Sequence, residues 1–302
     1  MKVLVTGGTG FIGQYVVEEL LNRDYKVLKF DRDARYEDDT KDVDLFLGDI
    51  IDDVAVTEAF AHADAFIHLA AVLGTQETIY NPRPAALSNL MGGLNVLEAA
   101  CQYNTPGVYI GVGNYWMNNT YSISKTMIER FVDMFNKDRG TKVNIVRAMN
   151  AYGPRQVPAA PYGPAKVRKI TPSFVCRALM NHDIEIYGDG EQVSDMIYVT
   201  DVAKALVNAM EISIEGKLVP AVEIGPTINN TVNEVAEKII ELSGSKSKII
   251  HLPMRPGEIP GSTVIADTST LEAINMDPQY FVTLEDGMSK TIQYFKKYLE
   301  KS

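Results

Sequence analysis

Cysteine is scarce in this chain of 302 residues, with only Cys101 and Cys176. Two thiols exclude a disulfide-stapled scaffold, cannot hold a metal cluster between them, and fit a reducing, cytoplasmic setting. Histidine is nearly as rare: His62, His68, His182 and His251 are scattered without metal-ligand spacing. His68 lies inside the apolar run "AFIHLAA" and reads as a core residue rather than a catalyst. No stretch approaches the roughly 20 apolar residues of a membrane span. The opening "MKVLVTGG" has too short an apolar run for a signal peptide. Positive charge is also in deficit. A net charge of −10 argues against a nucleic-acid or anionic-membrane surface, while leaving room for a local basic pocket around a small anion. Internal repeats and low-complexity tails are missing too.

What remains is an ordinary globular composition, 46% hydrophobic and 23% charged. The length suits one large domain or two closely joined ones. In the first half, short apolar runs alternate with amphipathic stretches. "KVLVTG", "YKVLKFD", "DAFIHLAA", "GVYIGV" and "VNIVRAMN" read as strands; residues 12–22, 84–103 and 121–138 read as helices. Continuous Val/Ile/Leu strands spaced by helices predict an α/β fold, a doubly wound parallel sheet covered on both faces. After "AYGPRQVPAAPYGPAK", a proline- and glycine-rich loop, the elements shorten. "TVNEVAEKIIEL" carries Thr231 and Glu234 at capping-box spacing. The expected division is 1–155 for a nucleotide-binding domain and 156–302 for a smaller substrate lobe, with some segments returning to the first domain.

"VTGGTGFIG" follows the first strand and opens the first helix, with Gly7, Gly10 and Gly13 in a G-x-x-G-x-x-G spacing. Glycines let backbone N–H groups approach a pyrophosphate, and a helix N-terminus favours its charge. Phe11 and Ile12 lie inside the same turn. Asp31 ends the second strand 18 residues after Gly13, where an acidic residue can grip an adenosine ribose. A carboxylate there repels a 2′-phosphate and favours NAD over NADP, although Arg32 next door offsets part of that repulsion. Asp49 and Ile50 of "GDI", and Leu69, Ala70 and Ala71, are candidate adenine and ribose contacts.

Tyr-x-x-x-Lys occurs three times: Tyr25/Lys29, Tyr121/Lys125 and Tyr162/Lys166. Only Tyr121/Lys125 opens an amphipathic helix just after a strand, where residues four apart stand one above the other. A tyrosine near its reference pKa of about 10 is a poor base. A lysine ammonium one turn away favours the phenolate, so Tyr121 could remove a hydroxyl proton while hydride leaves the same carbon for NAD.

Taken together, "TGGTGFIG", "HLAA", "NP" at Asn81–Pro82, Asn89 with "GGLNVLEAA", "YSISK", "VRAMNAYGP", "GDGEQVSDMIYVTDVA" and "RPGE" resemble the extended short-chain dehydrogenase/reductase family. The likeness is to its NAD-dependent nucleotide-sugar epimerases and dehydratases, of the UDP-glucose 4-epimerase kind, along nearly the whole chain. The resemblance implies a Rossmann sheet, Tyr121 as base and Lys125 as its partner and holder of the nicotinamide ribose. It implies Asn89 on the cofactor side and Asn150 at the sugar nucleotide. Tyr187 and Gln192 would border the nucleotide base, and Arg255 would meet a diphosphate.

Two departures stand out. Ser194 occupies the place of a family arginine, with Arg155, Lys166, Arg168 and Lys169 as possible substitutes. Gly113 falls where the family has a Ser or Thr, and Asn114 and Tyr115 replace the acid pair of the common 4,6-dehydratases; Asn118, Asn119 or Thr120 could swing in as a donor. The expected activity is therefore a UDP-hexose 4-epimerase with tightly bound NAD. A dehydratase using Glu77 or Cys101, a simple dehydrogenase and a non-catalytic NAD sensor are the alternatives. A homodimer through first-lobe helices is expected from related proteins.

Overall fold

Strands that are apolar along their whole length need cover on both sides, and the computed structural model, which describes residues 1–34 and 41–300, provides it. The first half runs β1 (Lys2–Thr6), α1 (Phe11–Asn22), β2 (Lys26–Asp31), β3 (Val43–Leu47), α2 (Asp53–Phe60) and β4 (Ala65–His68). Short helices α3 (Glu77–Tyr80) and α4 (Pro82–Ala85) lead through a π turn, Ala86–Met91, into α5 (Gly92–Tyr103). Then come β5 (Gly107–Val112), α6 (Thr120–Arg139), β6 (Val143–Ala148) and β7 (Asn150–Tyr152). The second half holds α7 (Ile170–Leu179), β8 (Ile184–Tyr187), β9 (Val193–Ser194), β10 (Met196–Tyr198), α8 (Val199–Ile214) and β11 (Val222–Ile224). It ends with α9 (Val232–Ser243), β12 (Ile249–Leu252), β13 (Thr263–Val264) and α10 (Leu284–Leu299).

Seven strands form one sheet in the order β11–β6–β5–β4–β1–β2–β3, and every neighbouring pair is parallel. Side chains alternate between its faces. Val3, Val5 and Ile67 pack with α1 and α8, through Val16, Leu20 and Leu206. Leu4, Phe30, Phe66 and Tyr109 pack with α2, α5 and α6, through Val56, Val96, Ile128 and Val132. The fold is the doubly wound Rossmann arrangement that the alternating pattern predicts.

A second, smaller core joins α7, α9 and α10 to Tyr152, Ile184 and Tyr198, with Phe174, Ile239 and Phe295 buried at its centre. The capping box of α9 is present: Glu234 N–H donates to the Thr231 hydroxyl at 3.2 Å, and Thr231 N–H to the Glu234 carboxylate at 2.8 Å. We infer a boundary near residue 155, with α8 and β11 returning to the first domain's sheet.

One element differs from expectation. The helix expected over 84–103 is interrupted by the π turn, in which Asn89 is buried. Its amide accepts from Val72 N–H at 2.7 Å and donates to the Val72 carbonyl at 3.0 Å and the Ser124 hydroxyl at 3.1 Å. Those bonds tie the segment after β4 to α6, and the wider turn lets Asn89 reach both.

Candidate active site

Parallel sheets of this kind bind ligands beyond the carboxyl ends of their strands. There a cavity of about 500 Å³ runs from the glycine loop, past Tyr121, to the second lobe. At one end the backbone is tightly folded. A methyl group on Gly13 would lie 2.2 Å from the Gly7 carbonyl oxygen. Gly7 itself has φ +72°, and a methyl there would lie 2.9 Å from Ala70 N. Gly10, Phe11, Ile12, Leu69, Ala70 and Ala71 line this end.

Asp31 also faces the cavity, where one carboxylate oxygen accepts from Thr9 N–H at 3.1 Å and from the Thr9 hydroxyl at 2.7 Å. Its other oxygen accepts from Arg32 N–H at 2.8 Å. Arg32 in turn faces the lining residue Asp49 at 3.6 Å, so its charge is partly matched. Ile50 is buried beside it. A glycine cradle that added carbon would close, with a carboxylate at its edge, fits a dinucleotide.

Helix α6 places the reactive pair. Asn119 caps it, its side-chain oxygen accepting from Ser122 N–H at 2.9 Å. Tyr121 then falls in the first turn and Lys125 in the second, both on the cavity wall. Burial pushes the Tyr121 hydroxyl up to about 12. Burial also pulls Lys125 down to about 7, against the opposing pull of Glu129. The Lys125 amine sits 4.1 Å from the centre of the Tyr109 ring, an arrangement that favours its cation. Without added charge beside it, Tyr121 is a neutral phenol at neutral pH.

The two other Tyr–Lys pairs are occupied elsewhere. Tyr25 donates to Glu211 at 3.1 Å, and Tyr162 shares a hydrogen bond with His182 at 2.7 Å. Neither pair reaches the cavity. His68 is a core residue: it is bonded to the Thr6 hydroxyl at 2.6 Å, and burial, with the Lys125 charge, takes it to about 3.

Most of the residues singled out from the sequence meet in this cavity, but several do not. The Asn119 oxygen is committed to its cap, and its amide nitrogen is buried without a partner, off the cavity wall. The Thr120 hydroxyl donates to the Thr78 carbonyl at 2.9 Å. Asn89 is satisfied by Val72 and Ser124, beneath the wall rather than on it. Cys101 lies on α5 facing the Arg139 carbonyl, away from the cavity.

The space beside Gly113 is filled instead by a residue that the motifs do not flag. A methyl on Gly113 would lie 2.1 Å from the Met149 sulfur. Asn114 donates to the Met117 sulfur at 3.4 Å, and Tyr115 stacks under Arg147, whose guanidinium lies 4.2 Å from the ring centre.

At the far end, Asn150 donates to the Ser194 hydroxyl. Tyr187 accepts from Arg168 at 3.2 Å, and its ring lies 4.8 Å under Arg255. Gln192 donates to the Tyr187 carbonyl at 3.0 Å, leaving its own carbonyl oxygen buried without a partner. Arg255 pairs with Glu258, while its Nε is buried without a partner. Glu77 lines the same region. Of the four possible substitutes for the arginine replaced by Ser194, Arg155 is held by Glu18 at 2.6 Å and Arg168 by Glu185 at 2.8 Å. Lys166 is exposed and off the wall, whereas Lys169 lines it.

A model of the NAD dependent epimerase/dehydratase family matches residues 3–225. The chain belongs to that family. It is 28% identical to the UDP-N-acetyl-alpha-D-glucosaminuronate decarboxylase of Bacillus cytotoxicus, over 98% of each chain. The UDP-glucose 4-epimerase of Thermotoga maritima, solved with UDP-glucose, superposes with a TM-score of 0.87 at 28% identity, covering 99% of this chain and 100% of that one. The UDP-glucose 4-epimerase of Thermus thermophilus, solved with NAD, gives 0.85 at 28% identity, over 98% and 99%. This family member is therefore an NAD-dependent enzyme of the nucleotide-sugar epimerase, decarboxylase and dehydratase group; the motif set implies its epimerases and dehydratases but not its decarboxylases.

Proposed function

We propose that this family member is a nucleoside-diphosphate-sugar epimerase, inverting C4 of a UDP-hexose through transient oxidation. The observation that carries the reading is the acid/base inventory around Tyr121. The Asn114 amide is turned to a thioether and Tyr115 lies under Arg147, so neither supplies the second proton shuttle that elimination of water requires. A reaction confined to one hydroxyl needs only one proton carrier.

Bound against the glycine loop, Asp31, Asp49, Ile50, Leu69, Ala70, Ala71 and Lys125, NAD would supply a reversible hydride acceptor. Tyr121 would take the proton of the C4 hydroxyl and return it after the ring presents its other face. The Lys125 ammonium would stabilise the phenolate formed in that step. Asn150, Tyr187, Gln192 and Arg255 would hold the nucleotide and its diphosphate. Arg255 suits that task because it lines the cavity and a guanidinium presents a fork of donors to phosphate oxygens.

A second reading keeps Glu77 in view, because its carboxylate lines the same cavity and could move a proton at a neighbouring carbon. Incubation with UDP-glucose, UDP-N-acetylglucosamine and UDP-glucuronic acid without added NAD, followed by NMR, separates the two. A C4-inverted product supports the epimerase, and a dehydrated 4-keto or alkene product supports Glu77 chemistry instead; a decarboxylated product overturns the epimerase without implicating Glu77, because a C4 ketone itself takes up the electron pair left by the C6 carboxylate. Full activity in Tyr121→Phe would sink both. We further propose a cytoplasmic homodimer; among the described residues no helix is long and apolar enough to cross a membrane.

A further inference from the structure

Lys125 is buried, and its ammonium makes no hydrogen bond or ion pair among the described residues. One turn along α6 lies Glu129, also buried. Arg147 on β6 directs Nε at 3.0 Å and Nη2 at 2.7 Å to the same Glu129 oxygen, Oε2. The other oxygen, Oε1, is buried without a partner. A half-bonded carboxylate in a dry interior is costly and asks for an explanation. Its space is provided by Gly111 on β5, where a methyl group would lie 2.2 Å from Oε1. Arg147 also pairs with Glu223 on β11 at 3.1 Å. Charges thus alternate from the cavity to the sheet edge: Lys125, Glu129, Arg147, Glu223.

We propose that Glu129 is a positioning residue for the Tyr121–Lys125 pair, its unbonded oxygen supplying the counter-charge that keeps Lys125 an ammonium inside the protein. Arg147, anchored by Glu223, fixes where that carboxylate points. The inference rests on reading Tyr121 and Lys125 as the reactive pair. The other titratable groups facing Lys125 are Tyr121 on α6, Tyr109 on β5 and His68 on β4, while Arg147 on β6 bonds to Glu129. Burial holds Tyr109 and Tyr121 as neutral phenols and His68 as a neutral imidazole. Glu129 is the carboxylate that opposes the downward pull of burial on Lys125.

A lysine is charged below its pKa, so loss of Glu129 moves the loss of the ammonium to lower pH. Isotope-labelled lysine NMR of the full chain with its bound dinucleotide tests this, the Lys125 signal being assigned by its disappearance in Lys125→Met. The Lys125 midpoint in Glu129→Gln is expected about one pH unit below wild type, within the range a neighbouring charge imparts. The alkaline limb of kcat with UDP-glucose should move with it. Glu129→Asp keeps the charge but withdraws it by one methylene. It should lower the midpoint in the same direction, and it replaces Glu129→Gln if that variant does not fold. An unchanged midpoint in a folded variant overturns the inference even with turnover intact. Absence of turnover with every UDP-sugar in wild type overturns the functional reading instead and leaves the midpoint comparison standing.

Discussion

At the scale of single residues, Gly113 and Met149 act as a pair. The sulfur lies where a side chain at 113 would begin, so a serine cannot enter until the thioether leaves. Gly113→Ser alone should lower kcat, because Met149 must be displaced into the cavity. Gly113→Ser combined with Met149→Ala should exceed Met149→Ala alone by about tenfold in kcat, the worth of one added hydrogen bond to the reacting oxygen. Steady-state kinetics of the three variants decide it, and equal rates for the double variant and Met149→Ala would show that the wall is indifferent to a hydroxyl. Lys125 allows a second test, through stability. Its pKa falls from 10.5 in the unfolded chain to about 7 in the fold. Between those values the unfolded chain binds the extra proton, so stability rises with pH across that window. Burial of Lys125 therefore destabilises most below about pH 7. Lys125→Met should melt several degrees above wild type there, with the gap closing towards pH 10, as calorimetry across pH would record.

At the scale of elements, what is legible in the sequence is what local chemistry decides. The capping box of α9 depends on Thr231 and Glu234, three residues apart, and forms as their spacing implies. The parallel sheet follows from strands apolar along their length. The glycine loop follows from a steric demand within seven residues. The π turn is not legible, because nothing in the apolar pattern of 84–103 breaks; it is held by Asn89 reaching Val72, seventeen residues away. Met149 escapes notice for the same reason, since its partner Gly113 lies on another strand end. Replacing Asn89 by alanine leaves the half-buried Val72 N–H and carbonyl without these partners, which should cost about 1–3 kcal/mol. It should also loosen α6 through Ser124. Urea denaturation checks the first effect and kcat the second. A variant as stable as wild type would mean that water or backbone movement satisfies Val72.

At the scale of the whole molecule, α6 has two working faces. Lys125, Ile128, Glu129 and Val132 point inward, to the site and the sheet. Ile123, Met127 and Met134 form an exposed apolar stripe on the other side, and Leu87 and Met91 of the adjoining π turn are exposed as well. A chain with a net charge of −10 has polar residues to spare for such a surface, so a clustered apolar stripe points to a partner. The homodimer we propose would cover it with the same stripe of a second copy, because a two-fold axis brings identical patches together. Met127→Glu would then place two carboxylates face to face across the axis. Wild type should sediment as a dimer at micromolar concentration and Met127→Glu as a monomer. The same helix carries Tyr121 and Lys125, so the monomer should also lose activity while keeping its fold by circular dichroism. A wild-type monomer in the ultracentrifuge would remove the dimer. A Met127→Glu dimer of normal activity would move the interface away from α6.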